Sequence, residues 1–429
     1  MRHVARALCL TLLAASVVLA GLPPPVAAGP EPASLLATAY NTHRKLARTP
    51  DGSLYASVTV NVSGVPQVRV LRTPDGVTWA ALPAASLTGN ATDRSTMAVD
   101  SRGRLHLAWT EKQPGGPNLQ VFYSRYGAGS WTPVEQMSHS PGYAGFPSIA
   151  VDAADRVHLV WYGFDGAFYQ IYYRRLEASG WTSERALTNE AVDATNPALA
   201  LGPDGHVHIA WFRLQRSGSN TEVAYLRLEG DQVAETLALS NPAVEATDPS
   251  LVVDTAGAVQ IAWSGLVGGV DRLQIVRGPA PWGPVETFSP PTVGARHPSL
   301  ALDGTGRLGV AWEGTDGRIY WLTRDATGWS TPAILAAAGM NTYPSARWGQ
   351  DHNPLCGADG VVDIIWTHEE AGVRNLSYAA IDAPLACPAI PVEIPWFAIS
   401  VGAALVLLAV GVAAFLLVRH RRWYPKLPR

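Results

Sequence analysis

Cysteine is scarce: the 429 residues hold three, and no cluster of histidines accompanies them. That argues against a zinc centre, and nothing else in the composition calls for a cofactor. Helical patterning is missing as well. No heptad run and no long amphipathic stretch is found, which sets aside helix bundles and coiled coils. Charged residues make up only 16% of the chain, and an excess of cations is lacking. Without Arg2, Arg6 and the five cations of residues 419–429, 25 Lys and Arg face all 35 Asp and Glu, leaving about −10. A body of that sign argues against nucleic acid as a partner.

What is abundant is 40 Gly, 33 Pro and 15 Trp in a chain 47% hydrophobic, the composition of short strands joined by many turns. Those strands repeat. Phe146-Pro-Ser-Ile-Ala-Val-Asp-Ala-Ala-Asp-Arg-Val-His-Leu-Val-Trp161 has close copies at residues 197–211, 249–263 and 298–312, a degenerate one at 95–109, and one at 344–366 with an insertion near Cys356. Trp109, Trp161, Trp211, Trp263, Trp312 and Trp366 close these copies at intervals of 52, 50, 52, 49 and 54 residues. A weaker copy spans His43 to Val58, with Val58 in the tryptophan's place. A period near 50 with strand-like content predicts an all-β, seven-bladed propeller.

Each copy reads as four strands. In the third they fall at 148–151, 157–161, 170–174 and 181–187, with a tight turn at 153–156. Along the second strand Val157, Leu159 and Trp161 face one way and His158 and Val160 the other, while Ala108, Ala210, Ala262 and Ala311 hold the opposite-face position elsewhere. A large face against a small one is what radially packed sheets need, with both faces buried. The last copy lacks a fourth strand after 375–381. Residues 32–43 resemble residues 332–343, so residues 32–38 are expected to complete the final blade and remove its exposed edges.

The two ends carry targeting patterns. Arg2 and Arg6 before the apolar run 7–20, then Val26-Ala27-Ala28, read as a secretory signal peptide over 1–28. The propeller ectodomain then spans 29–382, a Pro-rich stalk 383–394, a transmembrane helix 395–418 and a basic cytoplasmic tail 419–429. The apolar segment is long enough to cross a bilayer, and the cations after it place the tail inside and the propeller outside the cell. An exported compartment permits a disulfide between Cys356 and Cys387, the alternative being two buried or free thiols. Asn61, Asn90 and Asn375 match the glycosylation acceptor pattern.

Thr73-Pro74-Asp75-Gly76-Val77-Thr78-Trp79 resembles the Asp box of the sialidase-type (BNR) repeat, one residue shorter than usual. Weaker remnants are Gly129-Ser130-Trp131, Gly180-Trp181 and Gly328-Trp329. The resemblance covers residues 32–382 and implies a sialidase-like six- or seven-bladed propeller. In that family an arginine triad, a Tyr–Glu pair and an acidic Asp do the chemistry. Here only Arg296-His297-Pro298 resembles the first arginine motif, in the sixth copy rather than the first, so the constellation is incomplete. The Asp box itself is a structural turn.

The residues just before each innermost strand should ring one mouth of the central channel: His43 and Arg44, Asp93 and Arg94, Phe146, Asn196, Asp248, Arg296 and His297, and Tyr343. Aromatics with Arg and Asp suit a glycan or peptide ligand; ordinary solvated loop ends are the alternative. His106, His158 and His208 occupy one position in three blades and are expected to pack between blades rather than to bind metal. Asp100, Asp152, Asp254 and Asp303 are expected to cap turns, with calcium as the alternative. The leading functional expectation is a membrane-anchored binding module for a glycan or a cell-envelope protein. The rivals are a divergent sialidase-like glycoside hydrolase and a purely structural ectodomain.

Overall fold

The structure, a computed structural model, describes residues 26–27, 38, 44–62, 65–85, 91–214, 220–288, 292–302, 307–336, 340–348, 361–370 and 373–382. The chain divides into two units, Met1–Cys387 and Pro388–Arg429, and every described residue lies in the first. The expected stalk, membrane helix, tail and Cys356–Cys387 pairing, with Asp303 and His43, lie outside the described residues. Among the described residues no helix is long and apolar enough to cross a membrane.

Seven antiparallel sheets form the seven expected blades. Their innermost strands are Leu46–Arg48, Ala91–Val99, Ala144–Val151, Asp193–Leu201, Ala246–Val253, Ala295–Leu302 and Met340–Trp348. Each contacts the next, and the last meets the first, so the ring is closed. In blade 3 the strands run longer than expected, at Ala144–Val151, Val157–Phe164 and Tyr169–Glu177, and the fourth is split into Gly180–Trp181 and Arg185–Ala186.

Seven apolar clusters, one at each blade seam, hold the ring together. Trp161 packs on blade 2 with Ala108, Trp263 on blade 4 with Ala210, Trp312 on blade 5 with Ala262, and Trp366 on blade 6 with Ala311. The large-against-small alternation of the sequence is therefore the packing code between neighbours. At the seam of blades 7 and 1, where Val58 replaces tryptophan, Trp79 and Tyr378 join the cluster, edge to face at 5.6 Å.

The serine of the recurring Pro-Ser pair has a separate task. Ser148 Oγ accepts the Leu199 N–H at 3.1 Å, Ser250 Oγ that of Leu300 at 3.0 Å, and Ser299 Oγ that of Ala346 at 3.0 Å. Ser345 Oγ accepts the Lys45 N–H at 3.3 Å across the closing seam. Neighbouring inner strands are too splayed to form a ladder, so a side-chain oxygen satisfies a backbone donor between them.

The N-terminus does complete the last blade, but with different residues. Val26 pairs with Tyr378 and Ala27 with Ser377, where Ala333 and Ile334 pair in blade 6. The closing strand is thus shifted seven residues from the expected 32–38, of which only Thr38 is described, as a buried turn residue bonded to Thr367. Pro25-Val26-Ala27 and Pro32-Ala33-Ser34 are both a proline before small residues, and a ladder of two pairs specifies register weakly. Val26 and Ala27 also belong to the expected signal cleavage site, so a chain beginning at Gly29 lacks this strand.

Candidate functional site

The innermost strands all start at one end of the ring, and near that start each of blades 3 to 7 carries a β-bulge. The bulged residues are Phe146, Asn196, Asp248, His297 and Tyr343, with φ of 55°, 50°, 55°, 48° and 51°. Every one precedes the repeat's proline. A non-glycine residue in this region costs on the order of 1–3 kcal/mol, and it is least costly for Asn, Asp and His. Bulges re-aim side chains, and here five neighbouring blades repeat the same distortion at one end. These are the mouth positions expected from the sequence. Ala91–Val99 of blade 2 shifts register between Ala91 and Ser95 instead, and the side chain of Asp93 is outside the described residues.

Two clusters stand out at this mouth. On blades 2 and 3 the Arg94 guanidinium lies over the Phe146 ring at 4.3 Å, and Phe146 packs on Tyr162 at 5.2 Å. Tyr143 and Tyr169 continue outward, 5.5 and 5.3 Å from Tyr162, and Phe164 lies 5.5 Å from Tyr169. All but Phe146 are half-buried, so the mouth presents an aromatic shelf with a cation at its inner edge. Burial pushes the Tyr162 hydroxyl pKa far above its ordinary value, keeping it protonated. Tyr143, Tyr162, Phe164 and Tyr169 were not singled out from the sequence. They come from the start of strand one, the end of strand two and the start of strand three, so only their shared end of the blade could have pointed to them.

The second cluster joins blades 5, 6 and 7. His297 Nδ1 is 2.8 Å from Glu313 Oε2, its Nε2 is 3.7 Å from Asp248, and its ring stacks on Tyr343 at 4.1 Å. Glu313 Oε2 also accepts the Tyr343 N–H at 3.2 Å. Arg296 points elsewhere, its Nε donating to Asp271 at 2.7 Å. Burial disfavours the charged imidazole, but the Glu313 hydrogen bond and the Asp248 charge outweigh it, so the His297 pKa is raised above 6.5. The cluster can hold a proton at His297 near neutral pH and offer it, with the Tyr343 ring, to an acceptor in the mouth. A raised pKa stabilises the fold below the unfolded value, and the gain is lost as pH rises through the folded one. His297→Asn should therefore lower the melting temperature most below the ordinary imidazole pKa of ~6.5, and by progressively less as pH rises above it; a pH-independent difference would show that His297 is not held charged.

At the opposite end His106 and His158 pack as expected. Their Nδ1 atoms meet Tyr123 and Tyr173 hydroxyls at 2.7 and 2.8 Å, and their Nε2 atoms meet Asp100 and Asp152 at 3.3 and 3.2 Å. Burial lowers both histidine pKa values. Oδ1 of Asp100, Asp152 and Asp254 each accepts two backbone N–H bonds from the following turn, so these aspartates are turn caps. The Asp-box turn also forms: Asp75 Oδ1 accepts from the Val77 and Thr78 N–H groups, and Trp79 is buried beneath it.

No protein-family model matches the chain, and no curated protein matches it in sequence. Solved structures do match in shape. An ulvan lyase from a new polysaccharide lyase family, also solved bound to -[GlcA(1-4)Rha3S]-, is similar at TM-score 0.57 and 11% identity, over 83% of this chain and 94% of that one. A second polysaccharide lyase gives 0.52 and 12%, over 86% and 94%. An α-L-arabinofuranosidase from Fusarium graminearum gives 0.50 and 11%, over 84% and 98%. At such identities the likeness establishes the seven-bladed fold and does not show the sialidase family.

Proposed function

We propose that this protein is a cell-surface, membrane-anchored propeller that binds glycans at the channel mouth. The observation that carries this reading is the aromatic shelf of Tyr143, Phe146, Tyr162 and Tyr169 with Arg94 at its edge, built around the bulged Phe146. Aromatic faces stack on the C–H faces of sugars, and Arg, Asp and His bond their hydroxyls or acidic groups. Glycan-processing neighbours that share the fold are consistent with it. The anchor rests on residues 395–418 and their flanking charges, and protease added to intact cells should remove the propeller and leave the tail.

A glycan array probed with the full chain tests the reading. Tyr169 is half-buried at the outer part of the shelf, 5.3 Å from Tyr162, so Tyr169→Ala should weaken binding of any array hit roughly tenfold in a protein that still folds. An array without hits would count against glycan binding, and hits indifferent to both Tyr169→Ala and Tyr343→Ala would move the ligand site away from this mouth.

A second reading, a divergent sialidase-like glycoside hydrolase, is favoured by His297 held between Glu313 and Asp248 beside Tyr343. Against it, Arg94 stacks in blade 2 and Arg296 pairs with Asp271 in blade 6, which is not a convergent triad. A fluorogenic sialoside assay separates the two. Any activity lost in Tyr343→Phe would favour the enzyme, since that change removes only a hydroxyl.

A further inference from the structure

Blade 4 breaks the pattern of the turn at the end opposite the mouth. In blades 2 and 3 the aspartate opening this turn caps the backbone with Oδ1 and holds the histidine Nε2 with Oδ2. A carboxylate only accepts, so there Nε2 carries the hydrogen and the tyrosine hydroxyl donates to Nδ1. Blade 4 keeps His208, with Nδ1 2.7 Å from the Tyr225 hydroxyl, but has Gly202 where Asp100 and Asp152 stand. His208 is 2% exposed, and its Nε2 has no hydrogen-bond partner.

Asp204 takes up part of the vacancy. Its carboxylate lies against the space a Gly202 side chain would fill. Oδ1 accepts the His206 N–H at 3.0 Å and Oδ2 pairs with the His206 ring at 2.7 Å. The turn is capped again, but the bond to His208 is not restored. His208 instead lines a cleft of ≈ 490 Å³ between blades 4 and 5, together with Asp204, Arg227, Glu235, Pro279 and Ala280. A buried ring nitrogen left unsatisfied is unfavourable, and a ligand atom bonded to it would remove that cost.

We propose that this cleft is a second binding site, for a neutral polyhydroxylated unit such as a single hexose. When Tyr225 donates to Nδ1, as the tyrosines of blades 2 and 3 do, Nε2 donates and the ligand atom accepts, which disfavours an ammonium. Asp204 lies beside the same spot, and with Glu235 it outweighs Arg227 in charge, which disfavours a carboxylate or phosphate. A hydroxyl satisfies both conditions, accepting from Nε2 and donating to Asp204. Pro279 and Ala280 give an apolar wall for the C–H face of a sugar ring. The site is independent of the mouth, and its residues are not used there.

The test is ¹⁵N-histidine NMR of the full chain, titrated with D-glucose and D-galactose to about 100 mM, with acetate, D-glucuronate and an alkylammonium salt as comparators. The expected result is a saturable shift of His208 Nε2 with a neutral sugar and none with the ions. Gly202→Asp should weaken the response at least about tenfold, because it rebuilds the partner present in blades 2 and 3. Gly202 is not in the left-handed region, and the nearest obstruction is the flexible end of Asp204. Should Gly202→Asp not fold, Ala234→Phe, at an exposed wall position, should block the cleft to the same extent. No saturable shift with either sugar, a response to the ions alone, or an undiminished response in a folded cleft variant would overturn the proposal.

Discussion

Trp161→Ala is expected to destabilise the propeller by about 3–5 kcal/mol. The indole is fully buried in the seam between blades 2 and 3, against Ala108, Val121, Tyr123, Ile149 and Leu159. Its removal leaves a cavity between two sheets whose spacing is fixed by the remaining seams, so little collapse can relieve it. The loss comes from packing alone, because Trp161 Nε1 has no hydrogen-bond partner. Trp161→Phe should therefore cost clearly less. Trp109, whose Nε1 donates to buried Glu111 at 2.7 Å, should tolerate phenylalanine worse than Trp161 does. Equilibrium denaturation of the three variants decides: a loss under about 1 kcal/mol for Trp161→Ala would refute the seam as a main source of stability.

That seam is legible in the sequence, since a tryptophan about every 50 residues opposed by alanine states both the period and the packing rule. The mouth positions were legible for a related reason, because the residue before each blade's proline recurs at a fixed place. What the sequence could not convey is how residues from different strands or blades meet. Glu313 against His297, and Tyr162 against Tyr143 and Tyr169, are contacts of this kind. The meaning of Gly202 was hidden too, since one glycine among forty looks like turn chemistry until its sister blades show an aspartate bonded to histidine. The closing strand slipped by seven residues because two ladder pairs and two similar Pro-led segments leave register open. The Asp box was read correctly as a turn, and a turn carries no information about a ligand.

The largest feature missed by sequence reading is the ionic lock of the ring, and it supports the second large effect. Asp363 is fully buried in blade 7 and accepts both its 2.7 and 2.8 Å bonds from Arg48 Nη2 of blade 1. Arg347 approaches it at 3.4 Å and the Tyr378 hydroxyl donates at 2.8 Å. Burial and the nearby carboxylate push the Tyr378 pKa upward, so the phenol stays a donor across the ordinary pH range. Asp363→Ala takes the carboxylate from between two largely buried guanidinium groups, at the seam that joins the last blade to the first. Loss of one partner of a buried pair costs about 3–5 kcal/mol, and Asp363→Asn, which keeps shape and one acceptor, should cost less. Arg102→Ala, which removes an exposed arginine 3.9 Å from Asp155, is the internal control, since ion pairs at the surface contribute about 0–1 kcal/mol. Denaturation should rank Asp363→Ala far below both, and limited proteolysis should cut first near the blade 1 to blade 7 seam. If Asp363→Ala melts with the intact protein, the apolar seam and the backbone contacts hold the ring shut without the ionic lock.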